Sequence, residues 1–141
     1  MDTDAESPIE LLSEDECWEL LHSSSLGRLA VKVANEPNIY PLNFAAADQR
    51  LLCRTSPGTK LAELTVNSHV AFEIDGVRAD EAWSVVVKGT ARALDRQSDV
   101  DAADELALRS VIPTLKYVYV EITPHEVTGR RFEIGPEPDR T

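Results

Sequence analysis

The stretch Gln49-Arg50-Leu51-Leu52-Cys53-Arg54-Thr55-Ser56-Pro57-Gly58-Thr59-Lys60-Leu61-Ala62 changes character at its middle. Arg50 to Thr55 reads as a short strand. Ser56 is then placed to cap a helix, with Pro57 at its first position, and the helix runs through Leu64. The window carries Arg50, Arg54 and Lys60 and no acid, in a chain with 25 acidic residues. Arg54 and Thr55 end the strand, Gly58 permits a close backbone approach, and Thr59 and Lys60 fall in the first helical turn. Helix N-termini expose free N–H groups and the positive end of the dipole. Arginine offers a planar fork to phosphate oxygens, lysine a point charge and threonine a neutral donor. Such a layout suits a phosphate; the rival reading is ordinary surface charge beside a helix start, and these residues alone leave both open. There is no GxxxxGK[ST], so an ATP-type loop is not expected.

Outward from this window the apolar spacing alternates between periods. Ser13-Glu14-Asp15-Glu16 is a capping box, followed by a helix with Cys17, Leu20, Leu21 and Ser24 on one face, ending at Ser23–Gly27. Leu29, Val31 and Val33 then alternate with Arg28, Ala30 and Lys32. A turn is expected at Glu36-Pro37-Asn38, a strand over Ile39 to Ala47, and a turn at Asp48-Gln49. Beyond the window, Val70, Phe72 and Ile74 mark another strand, and Trp83, Val85 and Val87 the next. Asp99 to Arg109 reads as a helix with Val100, Ala103, Leu106 and Ala107 on one face. Lys116 to Thr123 is a strand, Pro124-His125 a turn, and Val127 to Ile134 a last strand. The expected class is mainly β with short helices: six or seven antiparallel strands that protect their edges best by closing into a barrel. One domain is expected over residues 11–134, with flexible tails at 1–10 and 135–141.

The net charge of −11 argues against nucleic acid and anionic membranes as partners. No apolar run reaches the roughly 20 residues of a membrane helix, and the acidic start Met1-Asp2-Thr3-Asp4 is unlike a secretory signal. A cytoplasmic protein is expected. Cys17 and Cys53 form no CxxC, and His22, His69 and His125 are scattered, so no metal is expected. The cysteines read as small buried apolar groups.

RTSPGTKLAEL followed by Asn67, then VAFEID and WSVVVKGTA, with GRLAV (27–31), YPLNF (40–44) and TGRRF (128–132) in the same order, resembles the pyridoxamine 5′-phosphate oxidase-like superfamily. Within it, the likeness is to the short, FMN-related branch that includes nitroimidazole-resistance-type proteins. The likeness runs from about Leu11 to Phe132. It implies a split β-barrel homodimer with two flavin sites at its interface. Carried over by position, Arg54, Thr55, Thr59 and Lys60 match residues that hold the flavin phosphate. Pro41, Leu42 and Asn43 match the strand whose backbone runs along the isoalloxazine ring. Trp83 and Ser84 match a strand that contacts the ring, often from the second subunit.

Each has a plain structural alternative. Trp83 suits a core or interface position, and Asn43 suits a residue satisfying backbone groups within a strand. Lys88 is expected in solvent, Arg130-Arg131 in surface salt bridges with one of the pair able to reach a ligand anion, and Tyr117 and Tyr119 in packing. The true oxidases continue into a segment whose Arg and His hold the substrate; here the chain closes with GRRFEIGPEPDRT, so oxidation of pyridoxamine phosphate is not expected. The resulting expectation is an FMN-dependent oxidoreductase acting on a small organic molecule such as a nitro compound. The alternatives are a non-catalytic carrier or sensor of flavin, pyridoxal phosphate or haem, and a reductase using the deazaflavin F420.

Overall fold

The computed structural model describes residues 9–105 and 118–135. Its elements run β1 (Ile9–Leu11), α1 (Glu14–Ser23), β2 (Leu26–Val33), β3 (Glu36–Ala47), β4 (Arg50–Thr55), α2 (Thr59–Val66), β5 (His69–Arg78), β6 (Glu81–Ala93), α3 (Gln97–Glu105) and β7 (Val118–Glu133). The strands pair in the order β1-β7-β4-β3-β2-β5-β6, and β6 pairs again with β7. Six antiparallel strands thus form a hydrogen-bonded ring, with β1 added outside it. β7 serves three partners: Val118–Ile122 lie against β4, Val120–Glu133 against β6, and Arg130–Phe132 against β1.

Period-two alternation fills the ring. Leu29, Val31, Leu42, Phe44, Leu51, Cys53, Phe72, Ile74, Val85, Val87, Val120 and Ile122 are all buried. Phe44 and Phe72 meet edge to face with centroids 4.9 Å apart. Helix α1 adds Cys17, Trp18 and Leu21 to this core, and α2 adds Leu64. Outside the ring a smaller cluster of Leu52, Leu94, Ala103 and Tyr119 is buried with α3. The Tyr119 hydroxyl donates to Asp104 at 2.6 Å. Both cysteines are free and buried, and burial pushes the Cys53 thiol up to about 12.

The capping box at α1 forms as the sequence indicates. Ser13 accepts from the Glu16 N–H at 3.1 Å, and Glu16 accepts from the Ser13 N–H at 3.0 Å. That backbone donor is the first reason the Glu16 carboxyl lies below its ordinary pKa, the Ser13 side-chain bond the second.

Four expectations need correcting. The β2–β3 turn falls at Ala34-Asn35, not Glu36-Pro37-Asn38, because Val33 pairs with Glu36. Pro37 is tolerated in β3 because β4 reaches only Asn43, which leaves one side of Pro37 without a neighbouring strand. Pro124-His125 is not a turn: β7 runs straight through it, and the irregularity is absorbed as a bulge. Lys88 pairs with Glu126 and Gly89 with Pro124, so His125 is the extra residue. A Cβ at Gly89 would collide with the Thr123 carbonyl oxygen. Helix α2 starts at Thr59 with Gly58 as its N-cap, rather than at Ser56-Pro57. Finally, Ile9 and Glu10, expected in a flexible tail, pair with Phe132 and Arg131. Helix α3 runs from Gln97 to Glu105; Leu106, Ala107, Arg109, Lys116 and Tyr117 lie outside the described residues.

Candidate functional site

Strands β3 and β4 bring together residues that are eleven apart in sequence: Asn43 and Arg54 are direct cross-strand partners. By period-two alternation they lie on the sheet face opposite Leu42, Phe44, Cys53 and Thr55, yet Asn43 is itself buried at 8% exposure and Arg54 is half-buried. Pro41 is exposed beside them, while the Leu42 side chain lies in the core, leaving only its backbone for a ligand. The buried Thr55 hydroxyl donates to the Ser56 carbonyl at 3.4 Å.

Three residues after Thr55 the chain enters α2. Gly58 adopts φ 156° and ψ −151°, a region essentially reserved for glycine. No side chain caps this helix, and its first turn holds no acid. A Cβ built on Gly58 would meet nothing within 4 Å. The helix that carries Thr59 and Lys60 thus begins at a glycine with open space around it, and that N-cap has no side chain to engage the first-turn N–H groups. An anionic group fits this corner: it has an arginine one strand away, a helix N-terminus and no carboxylate in the first turn.

Trp83 and Ser84 are not part of this corner. Trp83 pairs with Gly76 and Arg131, and Ser84 with Asp75 and Arg130. Trp83 and Ser84 sit on β6, which is separated from β4 around the ring by β7 on one side and by β3, β2 and β5 on the other. Trp83 is half-buried over Gly76, whose added Cβ would come within 2.5 Å of the indole. It walls a cleft of about 340 Å³ with Leu12, Leu20, Glu16 and Arg131. Arg131 is engaged by Glu10 at 3.0 Å, Glu16 at 3.7 Å and Glu81 at 3.8 Å. Arg130 makes no ion pair among the described residues. Lys88 is exposed and 3.7 Å from Glu126, and Tyr119 packs as expected. The structure therefore pairs Asn43 with Arg54 beside Pro41, Leu42 and Thr55, starts α2 after three linking residues, and leaves Trp83 and Ser84 on another strand of the same chain.

Sequence reading missed the group that joins β3 to α2. Glu63 accepts from the Tyr40 hydroxyl in a short hydrogen bond and from Asn38 Nδ2 at 2.8 Å. The Glu63 carboxylate holds the Tyr40 phenol above its ordinary pKa, through that bond first. Asn38 and Tyr40 share one face of β3 at period two, but their partner lies 23 to 25 residues away on a helix, and no local pattern announces it.

Residues 13–131 match the sequence family described as pyridoxamine 5′-phosphate oxidase. A solved structure from Corynebacterium glutamicum, provisionally called a pyridoxamine 5′-phosphate oxidase, is 40% identical. It superposes with a TM-score of 0.81, covering 96% of this chain and 99% of that one. A protein of Mycobacterium smegmatis described as FAD-binding is 38% identical, with a TM-score of 0.77 over 89% of this chain and 100% of that one. A Bacteroides thetaiotaomicron protein provisionally linked to 5-nitroimidazole resistance has the same fold at a TM-score of 0.73, covering 89% and 90%. At 12% identity the likeness extends to fold alone.

Proposed function

The chain belongs to the pyridoxamine 5′-phosphate oxidase family, and from that premise we propose that it binds a flavin nucleotide at the corner built by β3, β4 and α2. The observation that carries the reading is the pairing of Asn43 with Arg54 beside a helix N-terminus that the chain itself leaves uncapped. In this reading Arg54, Thr55, Thr59 and Lys60 hold the flavin phosphate. The backbone of Pro41, Leu42 and Asn43 lies along the ring. FMN is the proposed cofactor. FAD presents the same inner phosphate, and the description of the Mycobacterium smegmatis relative favours testing it beside FMN; F420 is the third candidate.

A homodimer completes the site in this reading. Near the buried Asn43 and Thr55, β2 and β3 expose apolar side chains, Leu26 at 56% and Ile39 at 67% exposure. These side chains suit burial against a second copy. That copy would bring its Trp83 and Ser84 over the ring. With the closing of its edges by β6 and β7, the ring of strands is read as the split barrel of such dimers.

The proposed activity is oxidoreduction of a small organic molecule. The bound flavin would supply the hydride chemistry. The chain's own residues would do the rest: Arg54 and Lys60 anchor the phosphate, the β3 backbone orients the ring edge, and the second copy excludes water from one face.

The test is titration of the purified protein with FMN, FAD and F420, followed by absorbance, with identification of any flavin carried through purification. Saturable uptake of FMN or FAD and its bleaching by NAD(P)H under anaerobic conditions are expected. Uptake of F420 alone would replace the cofactor. Uptake without reduction by any donor would leave a flavin carrier, and no uptake of any of the three would reject the reading.

A further inference from the structure

We infer that Glu63 is a positioning residue for the phosphate corner: clamped by Tyr40 and Asn38, it fixes α2 against β3 and holds its own charge away from the anion site. The inference rests on the reading of that corner as a flavin-phosphate site.

Two observations meet here. The first is mechanical. The corner is made from two separate elements, the β3–β4 strand pair and the first turn of α2. Between Thr55 and Thr59 they are joined by three residues, one of them the permissive Gly58. Such a link does not by itself set the angle at which the helix N-terminus faces Asn43 and Arg54. Burial of Leu64 in the core seats the helix, and the Glu63 carboxylate ties it to β3: one oxygen takes the Tyr40 hydroxyl and the other takes Asn38 Nδ2 at 2.8 Å, both donors lying on β3. Asn67, just past the helix, adds a second tie by donating to the Lys32 carbonyl oxygen at 2.7 Å. The clamp thus links the helix that bears Thr59 and Lys60 to the strand that bears Pro41 and Asn43.

The second observation is electrostatic. Glu63 is the first acid after the acid-free stretch of residues 49–62. It stands three residues from Lys60 and four from Thr59, the spacing at which helix side chains interact. A carboxylate free to swing at that spacing would compete with a phosphate for the lysine. Each of its oxygens accepts from a neutral donor on β3, and those two bonds orient the carboxylate toward that strand. Helix charge rules point the same way: an acid near an N-terminus favours the helix but opposes an external anion there.

The test compares FMN with riboflavin, which lacks only the phosphate. Tyr40→Phe removes one clamp donor and no charge; Asn38→Ala, at a half-buried edge position, removes the other. Each is expected to weaken FMN about three- to tenfold while leaving riboflavin affinity unchanged, and the double variant to weaken FMN further. A general loosening of the fold would weaken both ligands alike, and that outcome, or unchanged FMN affinity, would overturn the inference. Arg54→Ala with Lys60→Ala serves as the control. If it abolishes the preference for FMN over riboflavin while the clamp variants do not, the clamp role alone is wrong. If the control also leaves that preference intact, the phosphate reading fails and the clamp inference falls with it. Should Tyr40→Phe fold poorly, by its thermal midpoint, Asn38→Ala carries the same comparison.

Discussion

Helices α1 and α2 are both short and both donate apolar side chains to the same core, yet they begin in opposite ways. At α1 the chain satisfies its own helix end. The Ser13 and Glu16 side chains each accept the other's backbone N–H, and Glu14, Asp15 and Glu16 crowd the first turn with negative charge. At α2 there is no side-chain cap, no acid in the first turn, and a glycine with open space above it. In a protein with 25 acidic residues, that acid-free helix start is the local feature on which the proposed anion site rests. The N-terminus of α1 is a structural device, and that of α2 is, in the proposed reading, the place where the anion binds.

This contrast can be broken most severely at the α2 end. Arg54→Ala combined with Lys60→Ala should lower FMN affinity roughly a hundredfold or more, since each charge-assisted hydrogen bond contributes about 1.5–3 kcal/mol. Flavin titration measures it, and unchanged affinity would refute the assignment. Placing at α2 what α1 already has should come next. Gly58→Asp supplies a capping carboxylate where the anion is expected, and FMN affinity should fall at least tenfold. Riboflavin binding should fall much less; an equal loss for both would point to the backbone conformation instead. Treating α1 in reverse has a smaller effect of another kind. Ser13→Ala should cost about 1 kcal/mol of unfolding free energy and leave FMN affinity unchanged, by denaturant melts and titration together.

The smallest effect is in the acid limb. The folded Glu16 pKa lies below the ordinary 4.5, so its contribution is fully present above that value. It is lost as pH falls from about 4.5 through the lowered folded value. Glu16→Gln should flatten the stability profile in that window and nowhere above it. A flattening centred near neutrality would contradict the linkage.

How far the sequence could be read follows the same division. The cap of α1 is written in four consecutive residues and was legible. The pairing of Arg50–Thr55 with the end of β3 was legible too, because Asp48-Gln49 marks a tight turn between period-two runs. The true start of α2 was not. Ser56-Pro57 carries the stronger local helix signal, but Gly58 breaks the path with a backbone geometry that no propensity rule foresees. Pro124-His125 misled for a related reason: proline signals a turn unless a partner strand offers a bulge, and that partner, Lys88-Gly89, lies some 35 residues away. Glu63 was invisible as a clamp because its two donors are distant in sequence. Trp83 and Ser84 could be matched by position but not placed, since within one chain they pair with β5 and β7 and not with the strands that bear Asn43 and Arg54.

The long seventh strand also has a consequence in time. During synthesis β2 to β6 can leave the ribosome and form their hairpins with each neighbour already made. Both open edges, on β4 and on β6, must wait for Val118–Glu133. Until that strand emerges, the nascent sheet carries two unpaired edges and a half-covered core, a state prone to pairing with other chains. The β4 contacts that end it join residues 63 to 71 apart in sequence, so the closing step is entropically slow. Folding of this protein should therefore be limited by the arrival and docking of one segment, and its window of vulnerability should close in a single late event.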